Sequence, residues 1–232
     1  MRVYKRWFFT TVSKLFTQGR ANGISLYFYL KPLRLKIIGI TGTLGAGKGT
    51  IVDYLTKHHK FQHFSVREYL SRIIKEKGEE VNRDTLVATA NDLRAKNTPS
   101  FIAEELYLEA KGSGNDCIIE SIRTLGEVNA LHEKGNFHLF AVDADQRLRY
   151  ERIVLRASAT DKIDFDTFVA NEAREMNSTD PNKQNIAACM KLADFDFLNN
   201  GNLLELYKQV DEVLLQIEKP EDENLNSFVS EV

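Results

Sequence analysis

Residues Gly42 through Thr50 read G-T-L-G-A-G-K-G-T, four glycines and a lysine set between an apolar run and a helical pattern. The run before them, Ile37-Ile38-Gly39-Ile40, is apolar without alternation, as a strand buried on both faces is. After them, Ile51, Val52, Tyr54 and Leu55 are spaced as one face of a helix. Strand, glycine loop and helix in this order make a phosphate-binding loop. Glycines allow successive backbone N–H groups to curl around an anion without Cβ clashes. The helix N-terminus that follows adds free N–H groups and partial positive charge. Lys48 then reaches terminal phosphates as a point charge.

The chain from Leu35 onward alternates. Strands are expected over 35–41, near 61–65, at 117–119 ending on Glu120, over 137–142 ending at Asp143, and over 195–198. Helices are expected from the loop to about His58, over 67–77 with Gly78 as its stop, over 82–96, 100–111, 125–134, 145–156, about 183–192, and 202–217. The last helix is expected to bury Leu203, Leu206, Val210, Val213 and Leu214. Five strands separated by helices, with the glycine loop after the first, define the fold class. It is α/β, a three-layer, doubly wound, five-stranded parallel sheet of the P-loop NTPase type. The helical stretch at about 66–112 reads as a substrate-binding insertion and the polar stretch at about 157–182 as a short lid. Ligands bind beyond the C-terminal strand ends in such sheets, where Glu120, Asp143 and Asn199 fall.

Charge divides the chain. Residues 1–36 carry eight of the 31 basic residues and none of the 33 acidic ones, so the remainder is strongly acidic. That excludes general nucleic-acid binding and requires any basic substrate site to be local. Three readings of residues 1–34 remain open: a targeting presequence, a membrane-surface helix, or an appendage such as a reading-frame extension. The kinase-like domain is expected over 35–218, followed by a frayed acidic tail at 219–232. Cys117 and Cys189 form no CxxC pair, and no apolar run approaches a membrane span of ~18 residues. A cytoplasmic location is the expectation, with an organelle matrix or membrane surface as the alternative. The five histidines show no metal-ligand spacing and read as surface or helix-end residues.

The loop departs from the general G-x-x-x-x-G-K-[ST] pattern, because Gly49 follows the lysine and Thr50 comes next. G-x-x-G-x-G-K-G-T resembles the loop of adenylate kinase and the other nucleoside monophosphate kinases. Glu120-Ser121-Ile122-Arg123-Thr124 is similar to a shortened form of that family's D-G-F-P-R-T, and Arg152-Ile153-Val154-Leu155-Arg156 to its lid entry, R-I-x-x-R. The end of the chain resembles dephospho-coenzyme A kinase. Its V-D-A matches at Val142-Asp143-Ala144, and its A-D-x-x-I-x-N-x-G is similar to Ala193 through Gly201. The middle resembles archaeal P-loop kinases.

These resemblances imply ATP and Mg2+ as cofactors and a nucleotide or dephospho-coenzyme A as acceptor. They imply that Gly42, Gly45, Ala46, Gly47, Lys48, Gly49 and Thr50 hold phosphates, with Asn200 and Gly201 beside the adenine. Lys48, Arg152 and Arg156 would be catalytic, and Glu120 would meet magnesium through water. Arg123 would grip the acceptor, with Glu68 and Arg94 as further acceptor-side candidates from the insertion. The residues themselves leave alternatives: Arg152 and Arg156 as a solvated face paired with Glu151, Arg123 as an (i, i+4) partner of Glu127, Glu120 as a surface acid. The function expected is ATP-dependent phosphoryl transfer to a nucleotide-like acceptor, nucleoside monophosphate or dephospho-coenzyme A. A nucleotide-binding regulatory module that transfers nothing is the alternative of another class.

Overall fold

The computed structural model describes residues 35–156 and 163–218. The expectations for residues 1–34, 219–232 and the first part of the lid, 157–162, lie outside the described residues. Five strands, β1 (Ile37–Gly42), β2 (Gln62–Ser65), β3 (Cys117–Glu120), β4 (Phe137–Asp143) and β5 (Phe195–Leu198), form one parallel sheet in the order β2-β3-β1-β4-β5. The helices are α1 (Lys48–His58), α2 (Val66–Glu76), α3 (Arg83–Lys96), α4 (Phe101–Ser113), α5 (Leu125–His132), α6 (Gln146–Arg156), α7 (Phe165–Met176), α8 (Ile186–Lys191) and α9 (Leu203–Glu218).

β1 is central because all six of its residues are buried, which requires a neighbour on each edge and helices on both faces. One face of the sheet packs Ile37, Ile119 and Leu139 against α2, α4 and α5 through Leu70, Ile102, Leu106 and Val128. The other packs Ile38, Ile40 and Phe140 against α1 and α9 through Ile51, Leu55, Leu206 and Val210. The chain leaves β1 toward β2 but leaves β4 toward β5. That divergence opens a crevice at the C-terminal edge, where the glycine loop sits.

Several boundaries are set by caps that the sequence carries. Ser65 starts α2 by accepting from the Glu68 N–H, and Gly78, at φ 76°, ends it in the left-handed conformation. Thr124 and Glu127 form a reciprocal capping box at the start of α5.

Three expectations change. The polar stretch at 163–182 contains a helix, α7, anchored by the fully buried Phe168 and capped by Asp164. Its two aromatic positions are outnumbered by polar residues, which hides the period. Leu203 is 57% exposed rather than buried, since it precedes the face of α9 that carries Leu206, Val210 and Leu214. His63 is neither a surface nor a helix-end residue: it is half-buried on β2 and bonds Glu120.

Candidate functional site

A cavity of about 930 Å3 opens at the C-terminal edge of the sheet. Its floor is the glycine loop, and α1, α2, α3, the β3–α5 connection, α6, α7 and the start of α9 wall it. Eight Lys and Arg residues line it against three Asp and Glu. This acidic domain therefore concentrates positive charge in one concavity, as a polyanion site requires.

The loop is shaped by its own chain and by three clamps. Gly42 sits at φ 134°, and a Cβ there would collide with the Val142 carbonyl oxygen of β4. Gly47 is the left-handed N-cap of α1, and a Cβ there would strike the Asn199 amide. Asn199, 6% exposed at the end of β5, donates to the Ala46 carbonyl at 2.8 Å. Thr43 donates its hydroxyl to Asp143 at 2.6 Å. Arg149 of α6, 5% exposed, donates to the Leu44 carbonyl at 3.1 Å and to the Ala144 carbonyl at 2.8 Å, and its guanidinium also pairs with Glu172 of α7. Gly45, Gly47, Gly49 and Thr50 line the cavity, whereas Gly42 and Ala46 lie beneath it. A Cβ at Gly49 would meet nothing within 4 Å, so the loop presents open space to a ligand there.

Lys48 lines the same floor and donates its ammonium to the carbonyls of Gly42, at 2.8 Å, and Thr43, at 2.7 Å. Burial, together with the nearby Arg123 charge, pushes its pKa down to about 7. A polyanion bound at the loop would reverse that shift. Arg152 of α6 also lines the cavity, and its Nη1 is buried without a hydrogen-bond partner among the described residues. An unsatisfied guanidinium N–H in a cationic hollow has the chemistry of an anion ligand's partner. Arg156, one turn further along α6, lines the cavity as well. The Glu151 carboxylate lies nearest Arg147, at 3.8 Å, so the arrangement does not follow the solvated-face alternative for Arg152.

Arg123, which also lines the cavity, directs its guanidinium to Glu175 of α7, at 3.0 Å, and to Gln184, at 2.7 Å. The expected alternative, an Arg123–Glu127 side-chain pair, is corrected. Glu127 Oε2 accepts instead from the backbone N–H groups of Arg123 and Thr124. Its Oε1 accepts from Arg94 at 2.7 and 3.2 Å. Arg94 lines the cavity but is 2% exposed, and with Glu127 fully buried its guanidinium is the counterion of that carboxylate. A carboxylate capping a buried helix start needs that cation. Glu68 is also corrected: it is exposed on α2, in a shallow depression with Ser71, Arg72 and Lys75, outside the cavity.

Glu120 does line the cavity, but Oε2 is engaged by His63 Nε2 at 3.0 Å. That bond is the main cause holding the Glu120 carboxyl below its usual range and His63 above its own. Glu120 is thus ionised, with Oε1 left to receive a water. Among the described residues no group of three or more His, Cys, Asp or Glu could hold a metal ion directly. Asn200 and Gly201 fall outside the cavity: Asn200 accepts from the Asp145 N–H, and it is Leu203 and Tyr207 that line this end. Tyr207 stacks on Tyr54 at 4.0 Å between centroids. The sequence reasoning assigned no role to Arg149, Glu172, Glu175 or Tyr207, and gave Asn199 only its place beyond the strand.

The sequence signature of the AAA domain family matches residues 38–180, and the chain belongs to that family. The chain is similar to archaeal UPF0200 proteins. It is 28% identical over 186 residues to one from Methanococcus maripaludis strain C6, covering 79% of this chain and 98% of the relative. It is also 28% identical over 184 residues to one from Methanocaldococcus jannaschii, covering 78% and 90%. Among solved structures, TT1252 from Thermus thermophilus shares the fold, with a TM-score of 0.55 and 19% identity over 80% of this chain and 99% of that one. An uncharacterised protein from Eubacterium ventriosum does so with a TM-score of 0.51 and 12% identity, over 78% and 98%.

Proposed function

We propose that this AAA domain family member is an ATP-dependent phosphotransferase acting on a nucleotide-like acceptor. The observation that carries the reading is the buried Arg152 Nη1, without a hydrogen-bond partner among the described residues, in the cavity whose floor is the glycine loop and Lys48. An unsatisfied guanidinium N–H and the loop lysine lining one cavity suit an incoming triphosphate, whose charge would favour the ammonium form of Lys48. Phosphoryl transfer needs little covalent help from protein; positioning and charge stabilisation do most of it.

In this reading the loop N–H groups and Lys48 hold the β- and γ-phosphates. Arg152 and Arg156 meet the charge that spreads over the equatorial oxygens during transfer. Leu203 and Tyr207 provide the apolar and aromatic surface for the adenine. Magnesium would supply positive charge to offset that of the phosphates; Glu120 and the Thr50 hydroxyl are the hard oxygen donors in the cavity that would hold it. Glu120 acts through a water on Oε1, since His63 fixes the other oxygen. Residues 35–218 would form the catalytic domain, with residues 1–34 and 219–232 dispensable for turnover.

A coupled ADP-release screen tests the proposal, with ribo- and deoxynucleoside monophosphates and dephospho-coenzyme A as acceptors. One acceptor is expected to raise ADP release well above the acceptor-free rate. Tight ATP binding with no transfer to any of them would instead make the chain a regulatory nucleotide-binding module.

A further inference from the structure

One end of the cavity is walled by α1 and α9, and its character differs from the cationic remainder. Tyr54 of α1 and Tyr207 of α9 lie face to face there, with ring centroids 4.0 Å apart and planes 9° apart. Tyr54 is backed by the scaffold. Its hydroxyl donates to Asp211 at 2.9 Å, and the His58 and His59 rings lie 5.0 and 5.2 Å away. Tyr207, held by that stack, lines the cavity beside Leu203, which is 57% exposed. The polar side chains around this end are anchored to the protein. Asn199 donates to the Ala46 carbonyl, and Asn200 accepts from the Asp145 N–H. Asn202 accepts from the Leu204 and Glu205 N–H groups, and Gln209 donates to the Leu198 carbonyl at 3.3 Å. Asp53 and Lys57 pair with each other at 3.2 Å.

We propose that this end of the cavity holds the base of the donor nucleotide by surface contact alone, against Tyr207 and Leu203, so that the site takes nucleoside triphosphates as a class rather than ATP in particular. Every nucleobase has an apolar π face, and stacking on a tyrosine ring is tolerant of which base it is. The bases differ at their edges, in donors and acceptors. A site built to hydrogen-bond one such group rejects the analogue lacking it by several orders of magnitude. Here the amides that border the shelf are committed to capping α9 and to holding the glycine loop and β5. What remains toward the ligand is a ring and an aliphatic side chain, while the loop and its cations bind the triphosphate that all donors share. The ring is set before a ligand arrives, because the stack on Tyr54 and the Tyr54–Asp211 bond fix it from behind. Tyr207 is therefore the residue that determines how broad the donor specificity is.

The inference rests on the phosphotransferase reading for which end of the ligand meets the loop, but it can fail separately. The full-length chain is titrated by calorimetry with the magnesium complexes of ATP, GTP, CTP and UTP, and with tripolyphosphate as a triphosphate without a base. The nucleotides are expected to bind with Kd values within about tenfold of one another, and about tenfold more tightly than tripolyphosphate, the scale of one base–aromatic stack. Tyr207→Ala should remove that advantage from every nucleotide and leave tripolyphosphate unchanged, and Tyr207→Phe should restore it. The proposal is overturned if one base is preferred by more than about tenfold, if tripolyphosphate binds as tightly as the nucleotides, or if folded Tyr207→Ala spares the nucleotides or weakens tripolyphosphate equally. The wild-type comparison decides alone should Tyr207→Ala not fold. Even binding of all four nucleotides in a chain that transfers no phosphoryl group would leave the shelf standing and remove the enzyme. Transfer from ATP alone, with the other three unbound, would do the reverse.

Discussion

On the glycine-loop wall, the side chains that shape the site are spent on the protein itself. Asn199 and Arg149 fix the backbone carbonyls of Ala46 and Leu44, and Asp143 fixes the Thr43 hydroxyl, each nearly or partly buried. In the same cavity, Arg83 and Arg123 are about a quarter exposed and share the Glu175 carboxylate. The first wall is preorganised, so its backbone N–H groups need no rearrangement when charge arrives. The second group is compensated by a single carboxylate and stays open to solvent. The difference teaches that burial of the arginine itself, more than the presence of a partner carboxylate, separates scaffold pairs from pairs left open to the cavity in this molecule.

The sharpest way to break that distinction is to cut a scaffold pair. Glu127→Ala leaves Arg94 buried without its anion and removes the cap of α5, and should cost about 3–5 kcal/mol of stability in urea unfolding. A loss below about 1 kcal/mol would place Arg94 with the open arginines instead. Arg123→Ala should behave differently, raising the acceptor KM by roughly ten- to a hundredfold, from a charge-assisted bond of about 1.5–3 kcal/mol, with the ATP KM little changed. Lysine should rescue poorly, having charge but no fork. Equal loss for both substrates, or none, would take Arg123 out of the acceptor site.

Legibility in the sequence follows the same division. The glycine loop, the strand-ending Glu120 and Asp143, and the order of elements are local patterns of period and punctuation, and they stand where periodicity put them. Arg94 and Arg123 were not separable by sequence: both are arginines in the right region, and only the Glu127 carboxylate, turned inward by the α5 capping box, distinguishes them. The Ser65-to-Glu68 spacing was a readable helix start, in which the Glu68 N–H donates to the Ser65 hydroxyl. Glu175 and Glu172 were hidden because α7 has few apolar residues and meets its partners across 52 and 23 positions of chain. His63 was unreadable for a similar reason: its partner lies on the adjacent strand, 57 residues away.

Two smaller effects sharpen the electrostatics of the loop wall. Lys48 is held down to about 7 by burial, and a bound polyphosphate favours its charged form, so binding takes up a proton. Triphosphate affinity should therefore fall by about tenfold from pH 6 to pH 8 through this group, a component absent from Lys48→Met and measurable by calorimetry. An equal pH slope in that variant would contradict the assignment.

The smallest effect belongs to His63 and Glu120. Their bond stabilises the fold in the window above the lowered Glu120 pKa and below the raised His63 pKa, and is lost as pH rises through the latter. In an NMR titration, His63 should titrate above its ordinary value of about 6.5 in the wild type and lower in Glu120→Gln, where burial alone remains. No change between the two would separate His63 from Glu120.

The central claim, that the glycine loop and Lys48 position a nucleotide for phosphoryl transfer, is tested most directly by 31P NMR of Mg-ATP with the acceptor panel. The full-length chain and Lys48→Ala are compared at equal concentration. The account predicts that the ATP γ-phosphate signal is replaced by ADP and a new phosphorylated product with the wild-type chain. It predicts that the rate drops at least about a hundredfold in a variant whose unfolding transition is unchanged, the scale expected for loss of a preorganised charge contact. Transfer at a similar rate in Lys48→Ala, or an ATP spectrum that no acceptor alters in the wild type, would contradict it.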